Sequence, residues 1–284
     1  MKKILRYLIP SIFIFFIKRL YQGSTDIFSK YGLLTLVDRN KINNLKSLKK
    51  DHDECFIIGG GPSIKNQNLN LLKNKFTIVH NAFFLLKDDY DFKPSLYVIE
   101  DPLPAEDNSI ELNKINDIDL VIPLKLKKFI KSRDNVTYIN FDYTYIDSRE
   151  TTKDKNLEFK FSEDLTKKGF WGGTVVYFSL QIAYFLGFKK IYLFGVDLSY
   201  KIPESAKIDG SIITSTDSDD NHLHKDWFGK GKRWHFPRQD RMQIAIEHAV
   251  DFLTKKGVEV HNFSPISKIK GAKNLDFDKF MHEK

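Results

Sequence analysis

A single cysteine, Cys55, rules out any disulfide framework within the chain. That fits a reducing compartment, and its place in an apolar stretch reads as a buried structural thiol rather than a nucleophile. The longest greasy stretch falls short of the roughly 20 residues that a membrane-spanning helix needs. The Gly-Lys-Ser/Thr of a P-loop is missing, and so is a complete Gly-x-Gly-x-x-Gly fingerprint. No nucleic-acid motif and no internal repeat stands out. Acidic residues are too few to balance the basic ones, with 37 Asp and Glu against 45 Lys and Arg, a net charge of +8. Because the lysines are spread along the whole chain, this excess suits an anionic membrane surface or an anionic substrate better than DNA or RNA.

What is present describes a folded body. With 284 residues, 42% of them hydrophobic and 29% charged, the chain can bury one large α/β domain. Residues 1–20 stand apart. Lys2, Lys3 and Arg6 precede the Phe- and Ile-rich run 7–17, and Lys18 and Arg19 follow it. No small-residue cleavage site comes after, which argues against an exported signal peptide. The expectation is a helix lying in a membrane interface, against the alternative of a helix packed on the protein's own core. Residues 21–53, polar and lysine-rich with an apolar patch at 31–37, read as a linker, and the main domain is expected over 54–284.

The chain is organised around residues 54–65, Glu-Cys-Phe-Ile-Ile-Gly-Gly-Gly-Pro-Ser-Ile-Lys. A short β-branched run leads into three glycines, then Pro62 and Ser63 in the positions of a helix start. A strand, a turn without side chains and a helix N-terminus together make an anion site. Gly59, Gly60, Gly61, Pro62 and Ser63 are therefore expected to hold a nucleotide phosphate, the plainer alternative being a tight turn with no ligand.

Further strands are predicted at 76–79, 96–99, 120–123, 136–139, 189–197 and 258–262. Helices are predicted at 64–72, near 106–116 and 125–132, from Thr174 to Leu186 and from Pro237 to Lys256. Alternating strands and helices argue a mostly parallel sheet covered on both faces, with ligands beyond the strand carboxyl ends. Asn81, Glu100, Asp101 and Asp197 fall at such ends. Gly172, Gly173 and Thr174 open the apolar helix and leave its N-terminus accessible. Residues 201–236 read as one long loop, with the part at 219–236 closing an active site. It carries His222 and His224, Trp227 and Trp234, and the basic run Lys230 to Arg233. On an extended strand the two histidines would share a face with Asp220 alongside, which keeps a metal pair open. Trp227 and Trp234 read as packing residues, and His235, His248 and His261 as structural.

These segments, in this order, resemble two related groups: the domain-of-unknown-function 115 family, which includes hydroxymethylpterin diphosphokinase-like proteins, and the bacterial sialyltransferases of glycosyltransferase family 42. The resemblance spans roughly 54–270. It implies a Rossmann-like nucleotide fold and sugar transfer from a CMP-linked donor, with no required metal or other cofactor. Gly59, Gly61, Pro62 and Ser63 match the sialyltransferase nucleotide turn, whereas Gly60 stands where those enzymes have Asn. Asn81 and Asp197 match residues that follow their strands. Tyr200 lies one residue from a Tyr that binds the leaving phosphate, and His222 or His224 is the counterpart of the catalytic histidine. The implied partners are a nucleotide-sugar donor and a glycan or glycolipid acceptor, with no nucleic acid, at the cytoplasmic face of a bacterial inner membrane; a homo-oligomer stays open. Two rival classes remain. One is a phosphotransferase with ATP and Mg²⁺ on Asp197, Asp219 or Asp220. The other is a non-catalytic, membrane-bound nucleotide-binding module.

Overall fold

The computed structural model describes residues 38–143 and 159–283. The segment expected at the membrane, 1–20, the patch at 31–37 and residues 144–158 lie outside these residues. Among the described residues no helix is long and apolar enough to cross a membrane.

The body starts earlier than the sequence suggests. Within the expected linker, α1 (Arg39–Asn44) is capped by Asp38, whose side chain accepts from the Lys41 amide. Ile42 on this helix is fully buried, so residues 38–53 are part of the body. The strands follow as β1 (Glu54–Ile58), β2 (Phe76–His80), β3 (Leu96–Val98), β4 (Asp119–Pro123), β5 (Val136–Ile139), β6 (Phe141–Asp142), β7 (Gly169–Phe170), β8 (Lys190–Phe194), β9 (Lys207–Asp209), β10 (Ile212–Thr214), β11 (Arg233–His235), β12 (Glu259–Asn262) and β13 (Lys273–Asn274). The main sheet has the order β13-β12-β8-β1-β2-β3-β4-β5, and its neighbours pair in parallel. β2 is buried at every residue, as a strand covered on both faces must be. The chain is thus an α/β protein with a Rossmann-like fold.

The chain winds outward from β1 to β5 in one direction, then returns to β8 and winds the other way. Strand order therefore reverses between β1 and β8. In open α/β sheets the crevice for a ligand forms at that reversal, outside the strand carboxyl ends.

The helices are α2 (Pro102–Asp107), α3 (Ser109–Leu112), α4 (Val175–Phe185), α5 (Gln239–Lys255) and α6 (Phe277–His282). α4 is apolar nearly all round and its residues are buried almost throughout, between α5 and β1. Gly187 stops it with a φ of 87°, and Gly257 stops α5 with 72°.

Three expectations are corrected. Residues 64–72 form no α-helix: two short 3-10 turns, Pro62–Asn66 and Leu69–Leu72, stand there instead, broken by Gln67 in extended conformation. Asn68 then caps the second turn through its own side chain, as Asx residues do when they compete with helix continuation. The helix expected at 125–132 is likewise a 3-10 turn, Leu124–Lys128. The long loop 201–236 holds a three-stranded antiparallel sheet, β11-β10-β9, whose centre Ile213 is fully buried.

Candidate active site

The glycine turn follows β1 directly and is closed by β8. The Gly59 amide donates to the Phe194 carbonyl at 2.8 Å and the Gly61 amide to the Gly195 carbonyl at 2.9 Å. The Ser63 amide donates to Asp197 Oδ2 at 2.9 Å and its hydroxyl to Oδ1 at 2.5 Å, while the Ser264 hydroxyl donates to the same Oδ1 at 2.6 Å. A Cβ on Gly61 would collide with this carboxylate. Asp197 therefore clamps β8, the glycine turn and the segment after β12 together. The amides of Gly59, Gly61 and Ser63 are engaged within the protein, and no α-helix dipole stands behind them. The expected anion site at Gly59–Ser63 thus lacks its main donors, and Pro62 and Ser63 serve the turn itself.

Gly60 has another task. A Cβ there would come within 2.8 Å of both His222 Cδ2 and Trp227 Cζ2. The Gly60 carbonyl accepts from the Leu223 amide at 2.7 Å. The space that an Asn side chain would fill is taken by the 219–228 segment, which folds down over the turn. This is the physical reason for the departure at Gly60.

That segment is a series of turns rather than a strand, so His222 and His224 do not share a face. His222 Nδ1 lies 2.7 Å from Asp219 Oδ2, and the ring stacks on Trp227 with centroids 5.5 Å apart. Asp219, not Asp220, is its partner. Asp219 also accepts from the Asn221 and Phe228 amides, both at 2.8 Å. Burial alone would raise its pKa, but the His222 bond and charge and the two amides outweigh that and hold it below the usual carboxylate range. His224 lies apart, half-buried, its Nδ1 accepting from the Asp226 amide at 3.1 Å. Among the described residues no group of three His, Cys, Asp or Glu stands together as a metal site.

A cavity of about 50 Å³ lies against Gly59–Gly61, His80 and Asp197, and a larger one of about 510 Å³ adjoins it. Asn81, Thr174, Tyr200 and His222 line both, so the glycine turn and the N-terminus of α4 border one cleft. Thr174 caps α4, its hydroxyl accepting from the Val176 amide at 3.4 Å, and Gly173 precedes it with a φ of 81°. A Cβ on Gly172 would collide with the Tyr177 ring, so Gly172 allows close packing rather than contacting the cleft. Asn81 sits in the left-handed region at φ 49°, its carbonyl accepting from Tyr97 at 2.6 Å, and its buried Oδ1 has no protein partner among the described residues. Burial, then Asp219 and Asp197, push the Tyr200 phenol up to about 12, so it remains a hydrogen-bond donor at neutral pH.

Two residues of the basic run are engaged away from the glycine turn. Lys232 donates to the Asp107 carbonyl and to Asn108, and Arg233 pairs with Asp107 and Glu106, which fixes β11 to α2. Two further groups border the larger cavity: His235, read from the sequence as structural and here paired with Asp101, and Trp171, whose Nε1 donates to Glu100 at 3.0 Å. Asp101 and Glu100 stand at the carboxyl end of β3, as the strand pattern implies. No local spacing pointed to their partners, which are 134 and 71 residues away.

A family model described as 6-hydroxymethylpterin diphosphokinase MptE-like matches residues 32–203. No curated protein matches the sequence. Among solved structures, the Maf glycosyltransferase of Magnetospirillum magneticum AMB-1 is similar with a TM-score of 0.47 at 14% identity, over 84% of this chain. The chain spans 38% of that protein's length. The sialyltransferase CstII of Campylobacter jejuni, in complex with CMP-3FNeuAc, is similar with a TM-score of 0.43 at 18% identity, over 79% of this chain and 86% of that one.

Proposed function

This chain belongs to the MptE-like family; from the geometry of its cleft we propose that it is a glycosyltransferase using a CMP-activated sugar, a sialic acid or related nonulosonate, without a required metal. The observation that carries the reading is the Asp219–His222 pair at a cleft on the carboxyl edge of the parallel sheet. A carboxylate bound to Nδ1 holds the proton there and leaves Nε2 to accept one, which is what deprotonating an acceptor hydroxyl needs. Tyr200, a donor at neutral pH, is the group to stabilise the departing phosphate, with the α4 N-terminus at Thr174 beside it. Asn81 offers a buried oxygen for a donor on the nucleotide or sugar. The basic, apolar sequence at 1–20 supports a place at the cytoplasmic face of an inner membrane, in surface-glycan assembly.

The family description favours one rival, a phosphotransferase using ATP and Mg²⁺. Against it, two of the three carboxylates that would bind the metal, Asp197 and Asp219, are already engaged by Ser63, Ser264, His222 and backbone amides. Thermal shift against CMP, CDP, UDP, GDP and ATP, each with and without Mg²⁺, separates the two. A ligand at 100 times its Kd adds about 2.7 kcal/mol, on the order of 5 °C or more for a chain of this size. CMP is expected to give that rise without metal. A rise with ATP and Mg²⁺ alone would replace the transferase by the kinase.

A further inference from the structure

The larger cavity carries polar groups that the chemistry at His222 does not use. Asp101 accepts from the Leu103 amide through Oδ1 at 2.8 Å, capping α2, and its Oδ2 lies 2.7 Å from Nδ1 of His235. This is the same connection as in Asp219–His222, and again it leaves Nε2 as the ring's second hydrogen-bonding atom. The two pairs differ in access. The His235 and Asp101 side chains are 25% and 24% exposed, against 6% and 3% for His222 and Asp219. His235 is the histidine that a ligand in the larger cavity reaches with least rearrangement.

The surroundings of His235 narrow the class of ligand. Trp171 is held by its bond to Glu100, Trp234 stacks on Phe228 at 5.7 Å, and Phe236 is 44% exposed. All four rings border the cavity. Apolar ring faces with a few fixed polar atoms suit a sugar, whose C–H faces are apolar and whose hydroxyls need directional partners. Arg238, also on this cavity, is paired with Asp240 at 2.8 Å. Glu100 is buried, and burial together with the Asp101 charge favours its protonated form despite the Trp171 bond. A volume of about 510 Å³ has room for a small saccharide.

We propose that this cavity is the acceptor subsite, that it takes an uncharged sugar or polyol, and that Nε2 of His235, oriented by Asp101, binds one of its hydroxyls. The proposal rests on the glycosyltransferase reading above. It is tested by saturation-transfer NMR on the full chain, with methyl glycosides of galactose, glucose and N-acetylglucosamine and with free sialic acid, each with and without CMP. At least one methyl glycoside is expected to bind. Its affinity should fall about tenfold or more in His235→Leu and recover in part in His235→Gln, which keeps a hydrogen-bonding side chain. Melting curves, recorded in parallel with and without CMP, show that each variant is folded, and His235→Gln carries the comparison if His235→Leu is not. Equal binding by wild type and variants overturns the proposal, as does binding of sialic acid alone or of no methyl glycoside. Glycoside binding that depends on His235 in a chain indifferent to CMP overturns the acceptor role through failure of the nucleotide reading, and leaves a sugar site.

Discussion

The carboxylate of Asp219 reaches Nδ1 of His222 at 2.7 Å across a three-residue turn, and the ring it orients lies directly over Gly60. Removing the charge while keeping the shape tests what this contact does. Asp219→Asn is expected to slow sugar transfer about 10²-fold, and His222→Gln by about 10² to 10⁴, the range for a general base. Both should retain CMP binding. His224→Ala, outside both cavities, is expected to stay within about twofold. Rates of CMP release with acceptor present check all three, and similar losses at 222 and 224 would remove the base assignment.

Gly60→Asn asks whether the turn contacts the nucleotide or admits the loop. If Asn could reach a ligand here, the variant would bind CMP more tightly. The geometry predicts the reverse, because the new side chain meets His222 and Trp227 at 2.8 Å. Overpacking of this kind costs about 1–3 kcal/mol, roughly 2–12 °C in Tm at this size. Activity should fall further than stability, since the displaced residue is the proposed base. Gly60→Ala should show both effects in smaller measure. Melting curves and transfer rates on the same samples make the comparison.

The sheet was legible because its signal is local. Each buried strand, such as Phe76–His80, is a short β-branched run between turn residues. The apolar helix after Thr174 and its stop at Gly187 were legible for the same reason. The site was legible only in part. That Gly59–Gly61, Thr174, Tyr200 and His222 share a cleft follows from strand ends lying on one edge. Which amides were free did not follow, because Asp197 and Ser264 reach the turn from 134 and 201 residues beyond Ser63. His222 and His224 would share a face only on an extended strand, but the Asp219 and His224 side chains accept from the Asn221 and Asp226 amides two residues on and fold the segment into turns. His235 looked structural because its partner Asp101 comes from the far end of another strand.

Asp197 offers a test of the glycine turn that is independent of catalysis. Its two oxygens accept from the Ser63 amide, the Ser63 hydroxyl and the Ser264 hydroxyl, and the side chain is buried. Asp197→Ala strands three donors at once. An unsatisfied buried group costs about 1–3 kcal/mol, and the hydroxyls can rotate to other partners, so a net loss of about 3 kcal/mol is expected. Asp197→Asn keeps one acceptor oxygen and should lose less. Urea midpoints with unchanged slope measure the difference. A loss confined to CMP affinity, with stability intact, would make Asp197 a ligand-binding group instead of a clamp.

His80 ends β2, lies 1% exposed, and its Nε2 sits 2.7 Å from the Ser179 hydroxyl on α4. Burial lowers its pKa to about 3, against a smaller opposing effect of the Ile58 backbone. In the unfolded chain the ring titrates near 6.5. Above that pH both states are neutral and the group adds no pH dependence. Below it the unfolded chain takes up a proton that the folded chain refuses, so stability is lost as pH falls from about 6.5 toward 3. Each pH unit in that window costs about 1.4 kcal/mol, which is about 2 kcal/mol by pH 5. Glu100 acts with the opposite sign, because its folded pKa is raised and the folded state holds its proton more tightly than the unfolded one. The raw stability curve therefore mixes the two, and the comparison that isolates His80 is wild type against His80→Gln. The variant should be less stable at pH 8 yet lose less between pH 6.5 and 4, and the two curves should converge as pH falls. Urea titrations at half-unit intervals read this directly, and parallel curves would show that the ring is not held neutral in the fold.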